Sequence, residues 1–338
     1  MANARGEVEM TQGGDDVRLG VLKQWLEGFA PKYGLDLLGL APASADASFR
    51  RYFRLTGRDG ESFIVMDAPP PRENIVPFVK VDRLMEQAHV HVPRLYETDE
   101  ARGFILMSDL GRQTFLDVLD ENNAMGLFDA ATDALVAWQS ISRPGVLPEY
   151  DYAVLKREID LFPDWYVGRH RQYAMNERQR QIVGACFEKI IAHNLAQRRV
   201  FVHRDFMPRN LMVSDPNPGV IDFQDALYGP VSYDIASLMR DAFISWGESF
   251  VLDVSIRYWQ KAREAGIPVP EDFGVFWQDI EWMGMQRHLK VLGIFARINY
   301  RDGKPKYLAD TPRFINYVRQ TSNRYHDLQP INWLLLLA

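Results

Sequence analysis

The spacing of apolar positions changes twice along the chain. Leu19, Leu22, Trp25, Leu26 and Phe29 recur at three- and four-residue intervals, which predicts a helix that ends at Pro31 to Gly34. Residues 1–17 precede it with Glu7, Glu9, Asp15 and Asp16 and no apolar run, and read as a disordered N-terminus without a secretory signal. Over 37–67 the texture becomes that of strands. Leu37-Leu38-Gly39-Leu40, the aromatic and basic stretch from Phe49 to Leu55, the turn Gly57-Arg58-Asp59-Gly60 and the run Ser62-Phe63-Ile64-Val65-Met66 read as an antiparallel meander, stopped by Pro69-Pro70-Pro71. A helix over 74–88 and two strands at 94–97 and 103–107 follow, and Ser108-Asp109-Leu110-Gly111 reads as a linker. Beyond it the period is helical, near 114–120, 125–141, 152–170, 176–197, 231–243, 249–265, 272–298 and 311–325, interrupted by one hairpin at 211–222. The pattern predicts an α+β chain with a small β-sheet N-lobe at 18–108 and a large, mainly helical C-lobe at 109–338. A site between two such lobes is a common arrangement for an enzyme.

Composition narrows the class of partner. The 338 residues are 47% hydrophobic and 25% charged, ordinary for a globular protein with a full-sized core. A formal charge of -6 makes a generic nucleic-acid or anionic-membrane binder a poor fit. The single cysteine, Cys186, lies in an apolar helical run, which points to a buried thiol in a reducing, cytoplasmic compartment. The apolar end Trp333-Leu334-Leu335-Leu336-Leu337-Ala338 is far shorter than the roughly 20 residues a membrane span requires.

The chemistry concentrates in Phe201-Val202-His203-Arg204-Asp205-Phe206-Met207-Pro208-Arg209-Asn210-Leu211-Met212-Val213 and Gly219-Val220-Ile221-Asp222-Phe223-Gln224-Asp225. An Asp, an Asn five residues on, a hairpin, and a second Asp twelve residues later form the catalytic-loop and metal-loop arrangement of kinases. Transfer of a phosphoryl group from ATP needs a positioned hydroxyl and neutralised phosphate charge. Asp205 can accept a hydrogen bond from a hydroxyl and take its proton. Asn210 and Asp222 offer hard oxygen ligands suited to Mg²⁺. The antiparallel hairpin between them returns both to the same end.

At these residues the chain resembles the aminoglycoside phosphotransferase and choline kinase family of protein-kinase-like enzymes, over about residues 20 to 325. Within that family it is most similar to the amino-sugar kinases of bacterial cell-wall recycling, which act on the anomeric hydroxyl of N-acetylmuramate or N-acetylglucosamine. The stretches Arg50-Arg51-Tyr52-Phe53-Arg54-Leu55, Phe63-Ile64-Val65-Met66-Asp67-Ala68-Pro69-Pro70 and Gln286-Arg287-His288-Leu289-Lys290-Val291-Leu292-Gly293 add to the two loops above. The resemblance implies a bilobal kinase-like fold, ATP and Mg²⁺ as cofactors, and Asp205 as catalytic base. It makes Asn210 and Asp222 the metal ligands and places Met107, Ser108, Asp109 and Leu110 against the adenine. It also implies a downstream nucleotidyltransferase that consumes the sugar 1-phosphate. An aminoglycoside, choline or homoserine acceptor stays open, as does a regulatory pseudokinase that binds ATP without turnover.

Two departures from the family pattern matter. Met66 stands where the third strand carries a phosphate-holding Lys, and residues 43–54 contain no Gly. Arg50, Arg51 or Arg54 can supply the missing charge. Strand alternation places Arg51 opposite the other two, with Phe49 and Phe53 beside it as candidate adenine walls, which favours Arg51. Asp82 and Glu86 are both candidates for the usual helix ion pair. On the acceptor side, Asp225 can bind a sugar hydroxyl or cap a turn. Arg287, Lys290 and Arg297 share one side of a long helix and can bind a carboxylate, or form an ordinary charged face.

Overall fold

The computed structural model describes residues 16–45 and 49–337. The N-terminal expectation for 1–15 and part of the phosphate-loop expectation, 46–48, therefore lie outside the described residues. The chain divides into two compact units at Val76/Pro77, Pro93/Arg94 and Asp109/Leu110. The segment 77–93 belongs to the second unit, because Phe78 packs on Phe223 at 4.8 Å and the Val220 N–H donates to the His91 carbonyl at 2.7 Å.

The first unit is a five-stranded antiparallel sheet in the order β1-β2-β3-β5-β4, with β1 Ala41–Ala45, β2 Arg51–Thr56, β3 Ser62–Asp67, β4 Leu95–Asp99 and β5 Phe104–Ser108. Helix α1 (Val17–Glu27) starts on an Asp16 cap that accepts from the Leu19 N–H. Leu22, Trp25 and Leu26 on α1 bury against Phe53, Leu55, Phe63, Val65, Phe104 and Leu106 on one sheet face. Each such side chain is worth roughly 1.5–3 kcal/mol of burial. Between α1 and β1 the chain forms the short helix α2 (Ala30–Tyr33) and a 3₁₀ turn at Leu37–Gly39, where the sequence pattern suggests a strand.

The second unit opens with α3 (Val76–Gln87), whose first residue alone lies in the sheet unit, and continues after the linker with α4 (Phe115–Val118), α5 (Ala124–Ser140) and α6 (Tyr152–Ile159). A wider π-helical segment, Phe162–His170, then leads to α7 (Glu177–Ala196). Four short strands follow: β6 Arg199–Val202, β7 Leu211–Met212, β8 Gly219–Val220 and β9 Leu227–Pro230. The β7–β8 hairpin matches the sequence reading. The pairing of β6 with β9 does not appear there, since residues 227–230 are too short a run to announce a strand without their partner. The chain ends in α8 (Tyr233–Met239), α9 (Glu248–Glu264), α10 (Phe273–Asp302), α11 (Thr311–Arg324) and α12 (Gln329–Leu337).

Helix α10 is the axis of this unit. It runs 30 residues, about 45 Å at 1.5 Å per residue, from an Asp272 cap to Gly303 in the left-handed conformation at φ 68. From Asp279 to Lys290 every residue is buried. Gly293 lets the π-helical segment approach: a Cβ there would lie 2.4 Å from the Leu161 carbonyl carbon. Backbone cannot yield as a side-chain tip can. Gly293→Ala is therefore expected to lower stability by about 1–3 kcal/mol, read from urea denaturation as a lower midpoint with an unchanged slope. An unchanged midpoint would contradict this packing.

Candidate active site

The site residues of the second unit are assembled by the short strands. Strand β6 delivers His203, Arg204 and Asp205. A 3₁₀ turn at Pro208–Asn210 closes the loop, and β7–β8 then returns the chain so that the Ile221 N–H donates to the Asn210 carbonyl at 3.1 Å. Asn210 is buried. Its Nδ2 donates to the Asp205 carbonyl at 2.9 Å and to Asp222 Oδ2 at 3.3 Å. Gln224 Nε2 donates to the other Asp222 oxygen at 2.9 Å. Asp205, Asn210 and Asp222, separated by up to 17 positions, are thus one hydrogen-bonded group.

Two residues here hold backbone conformations that L side chains rarely adopt: Arg204 at φ 76 and Asp222 at φ 64. Each costs of order 1–3 kcal/mol and persists only where the surroundings over-determine it. For Arg204 the surroundings are clear. Asp234, fully buried on α8, accepts the N–H of His203 at 2.7 Å and of Arg204 at 3.0 Å. Burial pushes the Asp234 carboxyl up to about 7, against the pull of those two donors. His203 is also fully buried, and burial pushes its ring down to about 4, so it is neutral at pH 7. Nε2–H then donates to the Ile221 carbonyl at 3.1 Å and Nδ1 accepts from the Asp205 N–H at 3.2 Å.

The Arg204 side chain turns into a buried charge cluster. It pairs with Glu158 at 2.5 Å. Lys290 meets the same carboxylate at 3.2 Å and the Tyr233 hydroxyl at 3.2 Å, and Tyr150 donates to it as well. Burial works against the Glu158 charge, yet Lys290 and Arg204 hold it below the usual carboxylate range. Burial likewise opposes the Lys290 charge, and Glu158 outweighs it. The reading of Arg287, Lys290 and Arg297 as a charged helix face is corrected, because α10 is enclosed. Arg287 is buried and donates to the Arg240 carbonyl at 3.3 Å, Lys290 is buried with Glu158, and Arg297 is half-buried. Asp225 is exposed, and its carbonyl accepts from Arg204 at 3.4 Å.

In the first unit the geometry corrects the preference for Arg51. The register pairs Arg51 with Asp67 and Tyr52 with Met66, so Arg51 and Met66 lie on opposite sheet faces. Arg51 binds Asp67 at 2.5 Å and also reaches Asp16, and Arg18 meets Asp67 at 2.5 Å. Phe53 shares that face as expected, with Arg51 5.5 Å above its ring, but it is core beneath α1 rather than an adenine wall. Arg54 shares the Met66 face. Its guanidinium holds Asp109 at 2.5 and 3.0 Å, and Ser62 donates to the same carboxylate at 2.6 Å. Arg50 lies 3.9 Å from Glu73. Met107 pairs with Ile64 and Leu95 in the sheet, and Ser108 and Arg94 exchange hydrogen bonds of 2.9 and 2.8 Å. Leu110 is where the chain re-enters the second unit.

Between the two candidates for the helix ion pair, Asp82 faces inward and Glu86 is exposed. Neither Asp82 oxygen has a hydrogen-bond partner among the described residues. His91 is not in a strand. Its Nδ1 lies 2.7 Å from the Pro216 carbonyl and 3.2 Å from the Ser214 hydroxyl, at the β7–β8 turn. Asp234 and Glu158 are the important residues that sequence reasoning missed. The only signal for Asp234 is an acidic residue in the first turn of the helix after the metal loop, and Glu158 has none.

These features match known proteins. The sequence profile described as the phosphotransferase enzyme family matches residues 39–274. The chain belongs to the phosphotransferase enzyme family. It is 52% identical to the N-acetylmuramate/N-acetylglucosamine kinase of Pseudomonas aeruginosa, over 95% of this chain and 97% of that one. It is 50% identical to the protein of the same name from Neisseria meningitidis, over 93% and 94%. Among solved structures, a choline kinase from Streptococcus pneumoniae superimposes with a TM-score of 0.63 at 15% identity, covering 90% of this chain and 99% of that one. A putative aminoglycoside phosphotransferase from Ralstonia eutropha gives 0.61 at 14%, covering 88% and 95%. The α+β, protein-kinase-like fold expected from the sequence is the fold of this phosphotransferase. No helix among the described residues is long and apolar enough to cross a membrane.

The phosphotransferase carries one titration that can be isolated. Burial, with Glu86 adding repulsion, pushes the Asp82 carboxyl up to about 8. A carboxyl raised from 3.8 to about 8 on folding stabilises the fold below 3.8 and loses that contribution as pH rises through about 8. Asp82→Asn removes this dependence. Its stability relative to wild type is expected to grow from pH 4 to pH 8, by up to about 1.4 kcal/mol per pH unit, in paired thermal melts. A difference independent of pH would contradict the buried, unpartnered carboxyl.

Proposed function

We propose that the protein transfers the γ-phosphoryl group of ATP to the anomeric hydroxyl of N-acetylmuramate and N-acetylglucosamine, giving the sugar 1-phosphate and ADP. One observation carries the reading: a single buried amide, Asn210, ties the Asp205 backbone and the Asp222 carboxylate together at 2.9 and 3.3 Å. The names and near-complete coverage of the Pseudomonas and Neisseria relatives support the acceptor.

Asp205 accepts a hydrogen bond from the anomeric hydroxyl and takes its proton as the oxygen bonds to the γ-phosphorus and the bond to the β-phosphate oxygen breaks. The donor set fits Mg²⁺. With Nδ2 of Asn210 committed to Asp205 and Asp222, its Oδ1 is the atom that can coordinate, beside a carboxylate. Among the described residues no three His, Cys, Asp or Glu side chains cluster as a self-sufficient metal site. An Asn–Asp pair suits an ion that brings phosphate oxygens of its own. Mg²⁺ bound there with the nucleotide would neutralise charge on the phosphates. Arg54, on the same sheet face as Met66, is the residue we assign to supply the charge missing there, by exchanging Asp109 for phosphate. The protein works in the cytoplasm, and its product feeds a nucleotidyltransferase.

Met66, 1% exposed where kinases carry a lysine, favours one other reading: a nucleotide-binding module without turnover. ADP release on both sugars separates the two. Wild type is expected to turn over both. Asp205→Asn is expected to lose roughly 10²–10⁴-fold in kcat with the fold intact. Near wild-type turnover by that variant would remove Asp205 as the base. ATP binding without turnover of any sugar would favour the module.

A further inference from the structure

The two proposed acceptors differ in one group. N-acetylmuramate carries a lactyl ether with an ionised carboxylate where N-acetylglucosamine has a hydroxyl. Arg287 and Lys290 are enclosed with their own partners and Arg297 is half-buried, whereas two other cations line an open cavity. Within the second unit a cavity of about 420 Å³ opens beside the catalytic loop, a size suited to a sugar. Two cations line it. Arg209 immediately precedes Asn210 on the 3₁₀ turn, and Lys306 lies after α10. Neither forms an ion pair among the described residues; their contacts are aromatic, Arg209 over Phe243 at 5.0 Å and Lys306 over Tyr307 at 5.3 Å. Both rings also line the cavity.

The two lining carboxylates differ in state. Asp117 is committed to capping α4, accepting from the Thr114 N–H at 2.7 Å and hydroxyl at 2.8 Å. Asp310 caps nothing with its side chain, although it stands at the start of α11. With its guanidinium over Phe243 and no ion-pair partner among the described residues, Arg209 can present its N–H fork to a carboxylate. Phe243 and Tyr307 give the cavity an aromatic lining suited to a pyranose ring, and Asp310 can accept from a sugar hydroxyl.

We propose that Arg209 and Lys306 bind the lactyl carboxylate of N-acetylmuramate in this cavity and set the preference between the two sugars. The inference rests on the sugar-kinase reading above. Arg209 follows Asp205 by four residues and directly precedes Asn210, so the anion site is built on the same loop as the proposed base.

The test is kcat/KM on both sugars at saturating Mg²⁺ and ATP, with the KM for ATP, for wild type, Arg209→Gln, Arg209→Lys and Lys306→Gln. Arg209→Gln is expected to lower the N-acetylmuramate to N-acetylglucosamine ratio by roughly ten- to a hundred-fold. Lys306→Gln should lower it less, and Arg209→Lys should restore part of it. An unchanged ratio, equal losses on both sugars, or an effect confined to the KM for ATP would overturn the assignment. Wild type that turns over N-acetylglucosamine alone would overturn this inference and leave the sugar-kinase reading standing. Turnover of neither sugar would overturn both.

Discussion

Two backbone N–H groups, those of His203 and Arg204, converge on one buried carboxylate, Asp234. This contact decides where the chemistry sits. It pins the loop at the residue with φ 76, immediately before Asp205, and so offsets the cost of a conformation that would otherwise relax. The rest of the loop follows. His203 is held neutral between Ile221 and Asp205, Arg204 is turned toward Glu158, and Asn210 is left to gather Asp205 and Asp222. Asp234 is on a helix and Asp222 follows strand β8, so the loop is fixed against two separate elements.

Charge in the second unit is arranged in two ways. Glu158, Arg204 and Lys290 are buried together, and their satisfaction is internal. Removing one member would leave uncompensated charge in a low-dielectric interior, a loss of roughly 3–5 kcal/mol. Such a cluster serves to hold the catalytic loop, and its cations are not at liberty to bind substrate. Arg209 and Lys306 differ: they line a cavity and lie over aromatic rings without ion-pair partners among the described residues. Net charge says nothing of this division, since a chain of -6 contains both.

The grouping of Asp205, Asn210 and Asp222 was legible because its logic is local. Asp205, Asn210 and Asp222 are joined by a short hairpin, and antiparallel pairing over two residues per strand suffices to bring them together. Most helices of the second unit were legible from period, though α12 was not, and four of the five strands of the first unit were legible from their texture; the run at Leu37–Gly39, read as part of the meander, is a 3₁₀ turn, and β1 begins after it at Ala41. What escaped depends on tertiary covering. Alternation put Arg51 and Phe53 on one face, correctly, but could not say that α1 lies on it, and that covering makes Phe53 core and ties Arg51 to Asp67. The charges on α10 looked like a solvated face because period reports one apolar side and is silent on what encloses the other. Asp234 and Glu158 escaped because a buried acid has no sequence signature apart from its partners, which, Tyr150 aside, lie 30 or more positions away.

The central claim is that Asp234 acts by positioning the catalytic loop. The direct measurement is kcat and the KM for ATP of Asp234→Asn beside its melting temperature. An amide of the same shape keeps an acceptor but turns an N–H toward one of the two donors, so the loop is misplaced while the helix remains. The account predicts that kcat falls roughly 10²-fold, with the KM for ATP within a few-fold of wild type and a cooperative melt retained. Wild-type kcat in a folded Asp234→Asn protein would contradict it.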